Sequence, residues 1–198
     1  EQQQVGYSFG YLMGKSNANA IEDLDLDSFM IGFKAGFSGQ ASSLSNEQMI
    51  NTLSQYKKKV EAEELTTYKA QGAENLQKGL EFLEQNRKNN DVKVTQSGLQ
   101  YQVLTIGQGK TPKANSTIKV HYEGRLLDGT VFDSSIARDE PVVLPLNRVI
   151  KGWQEGTTLM TEGSKYRFFI PPNLAYGEIG SGDAIPPNST LIFDIELI

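Results

Sequence analysis

In the segment KVHYEGRLLDGTVFDSS, residues 119–135, one carboxylate, Asp133, stands directly beside an aromatic residue, Phe132, with Tyr122 upstream. A carboxylate among apolar groups is a catalyst, a ligand, or part of a wall held by partners, because an unpaired one takes up a proton. Each chemistry that would use it can be tested against the rest of the chain. An acyl-transfer hydrolase needs a nucleophile served by a histidine base, but the sole histidine is His121, and the G-x-S-x-G string GYSFG (6–10) lies in a stretch of helical pattern and not at a strand-to-helix turn. A glycosidase needs two carboxylates facing one cleft, and only Asp133 has an apolar setting. The glycine turns GQG (107–109) and GEIGSG (177–182) lack the lysine and following helix of a phosphate loop. With no cysteine and one histidine, neither a thiolate nor an imidazole metal site is expected, and no cofactor is implied. What remains is a hydrophobic, aromatic-lined site with few polar groups.

Three stretches read as the strands that would build such a site. LQYQVL (99–104) alternates Leu99, Tyr101 and Val103 with polar neighbours; TIKVHYEG (117–124) alternates Ile118, Val120 and Tyr122; TLIFDIELI (190–198) alternates Leu191, Phe193, Ile195 and Leu197. Half-buried antiparallel strands follow. The phase sends Tyr122 and Phe193 inward and His121 outward, so His121 is read as a surface strand residue. LNRVIKGWQEGTTLM (146–160) predicts one short helix with Val149, Ile150 and Trp153 on the face toward the sheet.

The chain changes character near residue 90. Before it the sequence is Pro-free and helical in pattern; after it come all seven prolines and the strands. In VGYSFGYLMGK (5–15), Val5, Phe9, Leu12 and Met13 share a helical face beside Gly6, Gly10 and Gly14, and in LDSFMIGFKAGFSG (26–39) Met30, Phe33 and Phe37 do the same beside Gly32 and Gly36. Each interior glycine costs a helix about 0.8–1 kcal/mol against alanine, so their repetition points to close backbone approach. Asp27 is the expected N-cap of the second helix and Gly39 its end. An intramolecular helix pair is one reading, but two such helices make a poor core, and an interlocked homodimer is preferred. The S-x-x-Q capping box Ser45–Gln48 opens a third helix, predicted from 46 to about 89. Its first half carries Met49, Leu53, Tyr56 and Val60; its second half reads as solvated and the whole as a rigid arm, with Gly72 and Gly79 as the weak points at which a break is the alternative.

The formal charge of −5 and the absence of a long basic run argue against nucleic acid. No apolar run approaches the ~20 residues of a membrane span, and the start, EQQQ, reads as a trimmed end.

A nonpolar aromatic pocket suits one reaction well, rotation about an X-Pro amide. The barrier, ~18–20 kcal/mol, comes from amide resonance, and no proton need move. The motifs VHYEGRLLDGTVFDSS (120–135), VIKGWQEG (149–156), IPPNLAYGEIGSG (170–182) and IPPNSTLIFDIELI (185–198) occur here in the order in which they occur in the FKBP family of peptidyl-prolyl isomerases, which residues from about 95 onward resemble. With its N-terminal helices the whole chain is similar to the dimeric bacterial group called macrophage infectivity potentiator, or Mip-like.

That resemblance implies an α+β protein in three parts. Residues 1–45 would be an all-helical dimerisation region, 46–90 a long connecting helix, and 91–198 an FKBP-like antiparallel sheet wrapped around one short α-helix. It also implies a proline pocket of Tyr122, Phe132, Asp133, Val149, Ile150, Trp153, Tyr176, Ile185 and Phe193, with Trp153 as the floor and the Tyr176 hydroxyl and Ile150 N–H as donors to the substrate. Asp133 would be a wall carboxylate bonded to Tyr122 and Arg138; a mere turn anchor is the alternative. Two departures thin the rim: Val142 stands where many members have an aromatic, and Ser181 where some have histidine. Both weaken the expectation of tight macrolide binding more than that of catalysis. The implied partners are unfolded or partly folded X-Pro chains, macrolide inhibitors and a second copy, with no nucleic acid and no membrane span. The implied function is proline isomerisation with dimer-dependent chaperone activity, a non-catalytic holdase being the alternative. A periplasmic location is expected, with the cytoplasm as the alternative.

Overall fold

The computed structural model describes residues 1–17 and 24–198. The chain divides into two compact units, residues 1–59 and 60–198. In the first, helix α1 spans Gln2–Asn17 and α2 spans Leu26–Phe37, and neither buries a residue. Helix α2 begins two residues earlier than the sequence suggests: its N-cap is Asp25, not Asp27, with the Asp25 carboxylate accepting from the Ser28 N–H at 2.7 Å. Asp27 lies inside the first turn, where its charge still favours the helix N-terminus. Gly39, at φ +67°, ends the helix in the left-handed region as expected.

Helix α3 runs unbroken over Asn46–Asn86, 41 residues, through both glycines. Its capping box is formed: Gln48 N–H donates to Ser45 Oγ at 3.2 Å, and Ser45 N–H to Gln48 Oε1 at 2.9 Å. The second half is not solvated all round. Gly72 and Gly79 are buried, and a Cβ on Gly79 would stand 2.4 Å from Thr190 Oγ1, so only a bare backbone fits there. The supposed weak points of the helix are where it touches the rest of its unit.

The second unit is built on a seven-stranded antiparallel sheet: β1 (Val92–Val94), β2 (Gln100–Thr105), β3 (Thr117–Arg125), β4 (Val131–Ser134), β5 (Val142–Pro145), β6 (Lys165–Ile170) and β7 (Leu191–Leu197). The order is β1-β2-β6-β7-β3-β4, and β3 pairs β5 through its first half and β4 through its second. The inward phase of β3 and β7 is as read from the sequence: Ile118, Val120, Tyr122, Leu191, Phe193, Ile195 and Leu197 are all buried. His121 faces the other way, half-buried, with Nδ1 3.0 Å from Ser135 Oγ.

One element differs from expectation and another was not foreseen, each for a physical reason. The helix under the sheet, α4, is only Lys151–Thr157; Val149 and Ile150 precede it in extended conformation after a 3₁₀ turn, Leu146–Arg148. Strand β6, KYRFFI, shows no alternation because Phe168, Phe169 and Ile170 are all buried. Phe168 packs under α4 against Gly156. Phe169 lies on the opposite face against Phe82 of α3, ring centres 5.7 Å apart. The same cover explains a buried Gln100, whose Nε2 donates to the Leu83 carbonyl and whose Oε1 accepts from Asn86 Nδ2, each at 2.9 Å.

Candidate active site

Between the concave face of the sheet and the start of α4 lies a cavity of about 590 Å³. Three strand residues, one helix residue and Tyr176 from a loop make its aromatic lining. Trp153 meets Tyr122 edge-on (5.2 Å, 83°) and Phe193 edge-on (5.3 Å, 89°), and Phe132 meets Phe193 in the same way (5.5 Å, 82°). Edge-to-face rings at these distances attract beyond their area burial and fix one another's orientation. Trp153 and Phe193 are each 4% exposed. Gly124 is the condition for this packing: a Cβ there would lie 2.5 Å from Phe193 Cε1 and 2.7 Å from Phe132 Cζ.

Asp133 has both oxygens engaged. Arg138 Nη1 donates to Oδ1 at 2.6 Å, the Tyr122 hydroxyl donates to Oδ2 at 2.5 Å, and Arg138 Nη2 reaches the Tyr122 oxygen at 3.3 Å. Burial alone would push this carboxyl up, but the hydrogen bonds from Tyr122 and Arg138 and the guanidinium charge outweigh it and hold it below the usual range. Burial and the bond to Asp133 push the Tyr122 phenol up. Each carboxylate oxygen thus accepts one bond from a phenol or guanidinium, which favours the ionised form.

Tyr176 lines the cavity with a phenol pushed up by burial and, secondarily, by the charge of Asp133. Among the described residues neither its hydroxyl nor the Ile150 N–H is given to a protein acceptor. The Val149 carbonyl next to it is held by Gln154 Nε2 at 2.7 Å. No group of three or more His, Asp or Glu side chains able to hold a metal occurs among the described residues. The arrangement suits binding and twisting a neutral amide, with two free donors and no acid–base pair.

Nine residues expected in the pocket, Tyr122, Phe132, Asp133, Val149, Ile150, Trp153, Tyr176, Ile185 and Phe193, converge on this cavity. Arg138 does not line it but stands behind Asp133. Val142 packs on the core, and Leu144, two residues on along the same face of β5, takes the place at the cavity. Ser181 is in the lining, as its reading as a rim residue implied. Leu144, Arg148 and Ala184 were not foreseen. Strand β5 is too short for its period to register, and Arg148 enters through a 3₁₀ turn. Ala184 enters through the Ser181–Ile185 bridge, which has no local sequence signal.

Comparison with known proteins agrees with this geometry. The family model for FKBP-type peptidyl-prolyl cis-trans isomerase matches residues 108–198, and that for the domain amino-terminal to it matches residues 2–103. The FKBP-type isomerase FkpA of Aeromonas hydrophila is 47% identical over all of this chain and 75% of its own length. The isomerase Mip of Coxiella burnetii is 39% identical over 100% of this chain and 86% of its own. The crystal structure of FkpA from Escherichia coli superposes with a TM-score of 0.82 at 36% identity, covering 100% of this chain and 95% of that one. An aromatic cavity with a paired carboxylate, on this fold and with these relatives, identifies the chain as a member of the FKBP-type peptidyl-prolyl cis-trans isomerase family, in its Mip- and FkpA-like group, and as an enzyme of that activity.

Proposed function

We propose that the 590 Å³ cavity is where the enzyme turns the bond before proline, with each lining residue in a distinct role. The observation that carries this reading is the aromatic box of Tyr122, Phe132, Trp153 and Phe193 beside a carboxylate whose two oxygens are each hydrogen-bonded, one to Tyr122 and one to Arg138. The proline ring sits on Trp153 between Phe132, Val149 and Ile185. Moving the amide from water into this setting disfavours the charge-separated planar resonance form and so favours the twisted one. The Tyr176 hydroxyl and the Ile150 N–H hold the substrate carbonyls, while Asp133, braced by Tyr122 and Arg138, polarises the wall without exchanging a proton. The test is the cis-to-trans rate of a short Leu-Pro or Phe-Pro peptide, with Asp133→Ala and Trp153→Ala beside wild type. Folded variants that keep full rate would remove the cavity from the reaction.

A second reading concerns assembly. Helices α1 and α2 bury nothing, yet Phe9 is 70% and Phe37 is 86% exposed, and Phe29, Phe33 and Phe37 stack in a ladder with ring centres 6.1 Å apart. Apolar faces of this kind ask for cover, and a second copy supplies it. Residues 1–45 would then serve association and 91–198 catalysis, with α3 shared: its residues from 60 belong to the catalytic unit. Two tethered sites raise the effective concentration on one unfolded client, which is the basis for dimer-dependent chaperone activity. Sedimentation of the full chain tests the dimer; a single species of 21.9 kDa would exclude it. Macrolides would bind weakly, since Val142 lies off the cavity and Ser181 adds little to the rim. A periplasmic location fits a chain without cysteine, and fractionation of the cell envelope tests it.

A further inference from the structure

One stripe of α3 meets one loop. Tyr68, Gly72, Asn75 and Gly79 recur at spacings of four, three and four, on a single helical face. Facing the first three is the loop from Tyr176 to Asn188. The Tyr68 hydroxyl donates to the Ile179 carbonyl. Asn75 Nδ2 donates to the Pro187 carbonyl at 2.9 Å, and Asn188 Nδ2 donates to the Gly72 carbonyl at 3.2 Å. A Cβ on Gly72 would stand 3.4 Å from Pro187 Cβ, in ordinary contact, so the loop lies directly on the helix backbone.

The same loop carries part of the cavity wall: Tyr176, Ser181, Ala184 and Ile185 all line it. It is also closed on itself. Asn188 N–H donates to Gly177 O at 2.8 Å, and Ser181 and Ile185 exchange both backbone bonds, at 2.8 and 3.1 Å. A loop tied across its own neck moves as a body, so bonds along one edge set where the opposite edge stands.

We propose that this stripe of α3 is a positioning element of the isomerase site. Tyr68 and Asn75 touch no substrate; they hold the 176–188 loop so that Tyr176 and Ile185 stand at the proline. The inference rests on the cavity being the site of the reaction. Loops carrying functional residues have few buried contacts and low local stability, and here the missing contacts come from a helix distant in sequence. If the loop is competent only part of the time, apparent affinity falls by the competent fraction while turnover of the bound complex is preserved, so the effect belongs in KM.

The test uses the full chain with Tyr68→Phe, Asn75→Ala and both together. It measures KM and kcat on an X-Pro peptide and hydrogen exchange at the amides of Gly180, Ser181, Ile185 and Asn188. In the double variant KM should rise about three- to tenfold with kcat within about twofold, as for a competent fraction reduced to that extent. Exchange at the four loop amides should quicken by a similar factor while the amides of β7 are unchanged. Glu74→Gln, in an exposed pair with Lys78 on the same helix, should alter neither readout. Tyr68→Phe removes one oxygen from a residue that is 39% exposed, and it decides the matter if the double variant does not fold. A folded variant with unchanged KM overturns the proposal, whether or not its loop exchanges faster. Full activity in Trp153→Ala would instead remove the cavity from the reaction, and the exchange data would still report whether the latch exists.

Discussion

Helices α1 and α2, 16 and 12 residues long, bury nothing, whereas α4, with seven residues, buries Gly152, Trp153, Gly156 and Thr157. Their apolar content does not explain the contrast, since α2 carries three phenylalanines on one side and α4 a single tryptophan. The chain itself supplies the surface that α4 needs: Ile170 against Gly152 and Phe168 against Gly156. It supplies none for α1 and α2 among the described residues. An apolar stripe states a demand for cover, and the demand is met within the chain only where a sheet is present to meet it. The catalytic unit therefore folds around its own site, and the apolar faces of the N-terminal helices stay exposed on the single chain.

The contrast can be broken hardest at Trp153. Trp153→Ala should lower the stability of the catalytic unit by roughly 3–5 kcal/mol and abolish turnover, read by thermal melting and the peptide assay. Gly124→Ala comes next. The added carbon has no space between Phe132 and Phe193, so a cost of about 1–3 kcal/mol and a large loss of rate are expected even though the change is a single methyl. Asp133→Ala leaves Arg138 and the Tyr122 hydroxyl without their partner. A loss of roughly 1–3 kcal/mol in kcat/KM, or about five- to 150-fold, should follow with the fold retained by circular dichroism.

Smaller effects sharpen the same contrast. Because Asp133 and Asp194 are held below their ordinary values, their contribution to stability is complete above the unfolded carboxylate value, near 4, and is lost as pH falls through the lower folded value. Tyr122 is pushed up, so its hydroxyl stays a donor well above neutrality. The rate should be level from about pH 5.5 to 9 and fall only in acid; a bell centred near neutrality would point to a proton-transfer group the site does not have. The smallest effect on short-peptide turnover is expected from Phe33→Ser in α2, within about twofold of wild type. Its consequence should appear in sedimentation, as a shift from dimer toward monomer.

Much of the site was legible in the sequence because its residues sit on strands whose period is unmistakable. The alternation in 117–124 and 190–198 put Tyr122 and Phe193 on one face and His121 on the other without any knowledge of the partner strands. The helical spacing in 146–160 turned Trp153 toward the sheet, and the family motifs added Tyr176 and Ile185, which no period locates. Strand β6 was illegible for the reason that makes it stable: with α4 on one side and Phe82 on the other, Phe168 and Phe169 are both inside, and alternation disappears. Gly124, Leu144 and Ala184 left no trace because each matters only through what lies across from it.

The sequence by itself determined part of the chain's elements and their inward faces: the capping box that opens α3, strands β2, β3 and β7, and an aromatic pocket without a base. Local spacing and side-chain chemistry suffice for these, since a helix or strand periodicity needs no partner to be read. Only the tertiary structure decided that Val142 stands off the cavity while Leu144 lines it. It alone decided that Gly72 and Gly79 are contacts and not hinges, because a glycine in a helix reads the same whether solvent or another backbone lies beside it. Contacts such as Tyr68 to Ile179, 111 residues apart, depend on where the fold carries two segments, and no window along the chain holds that information.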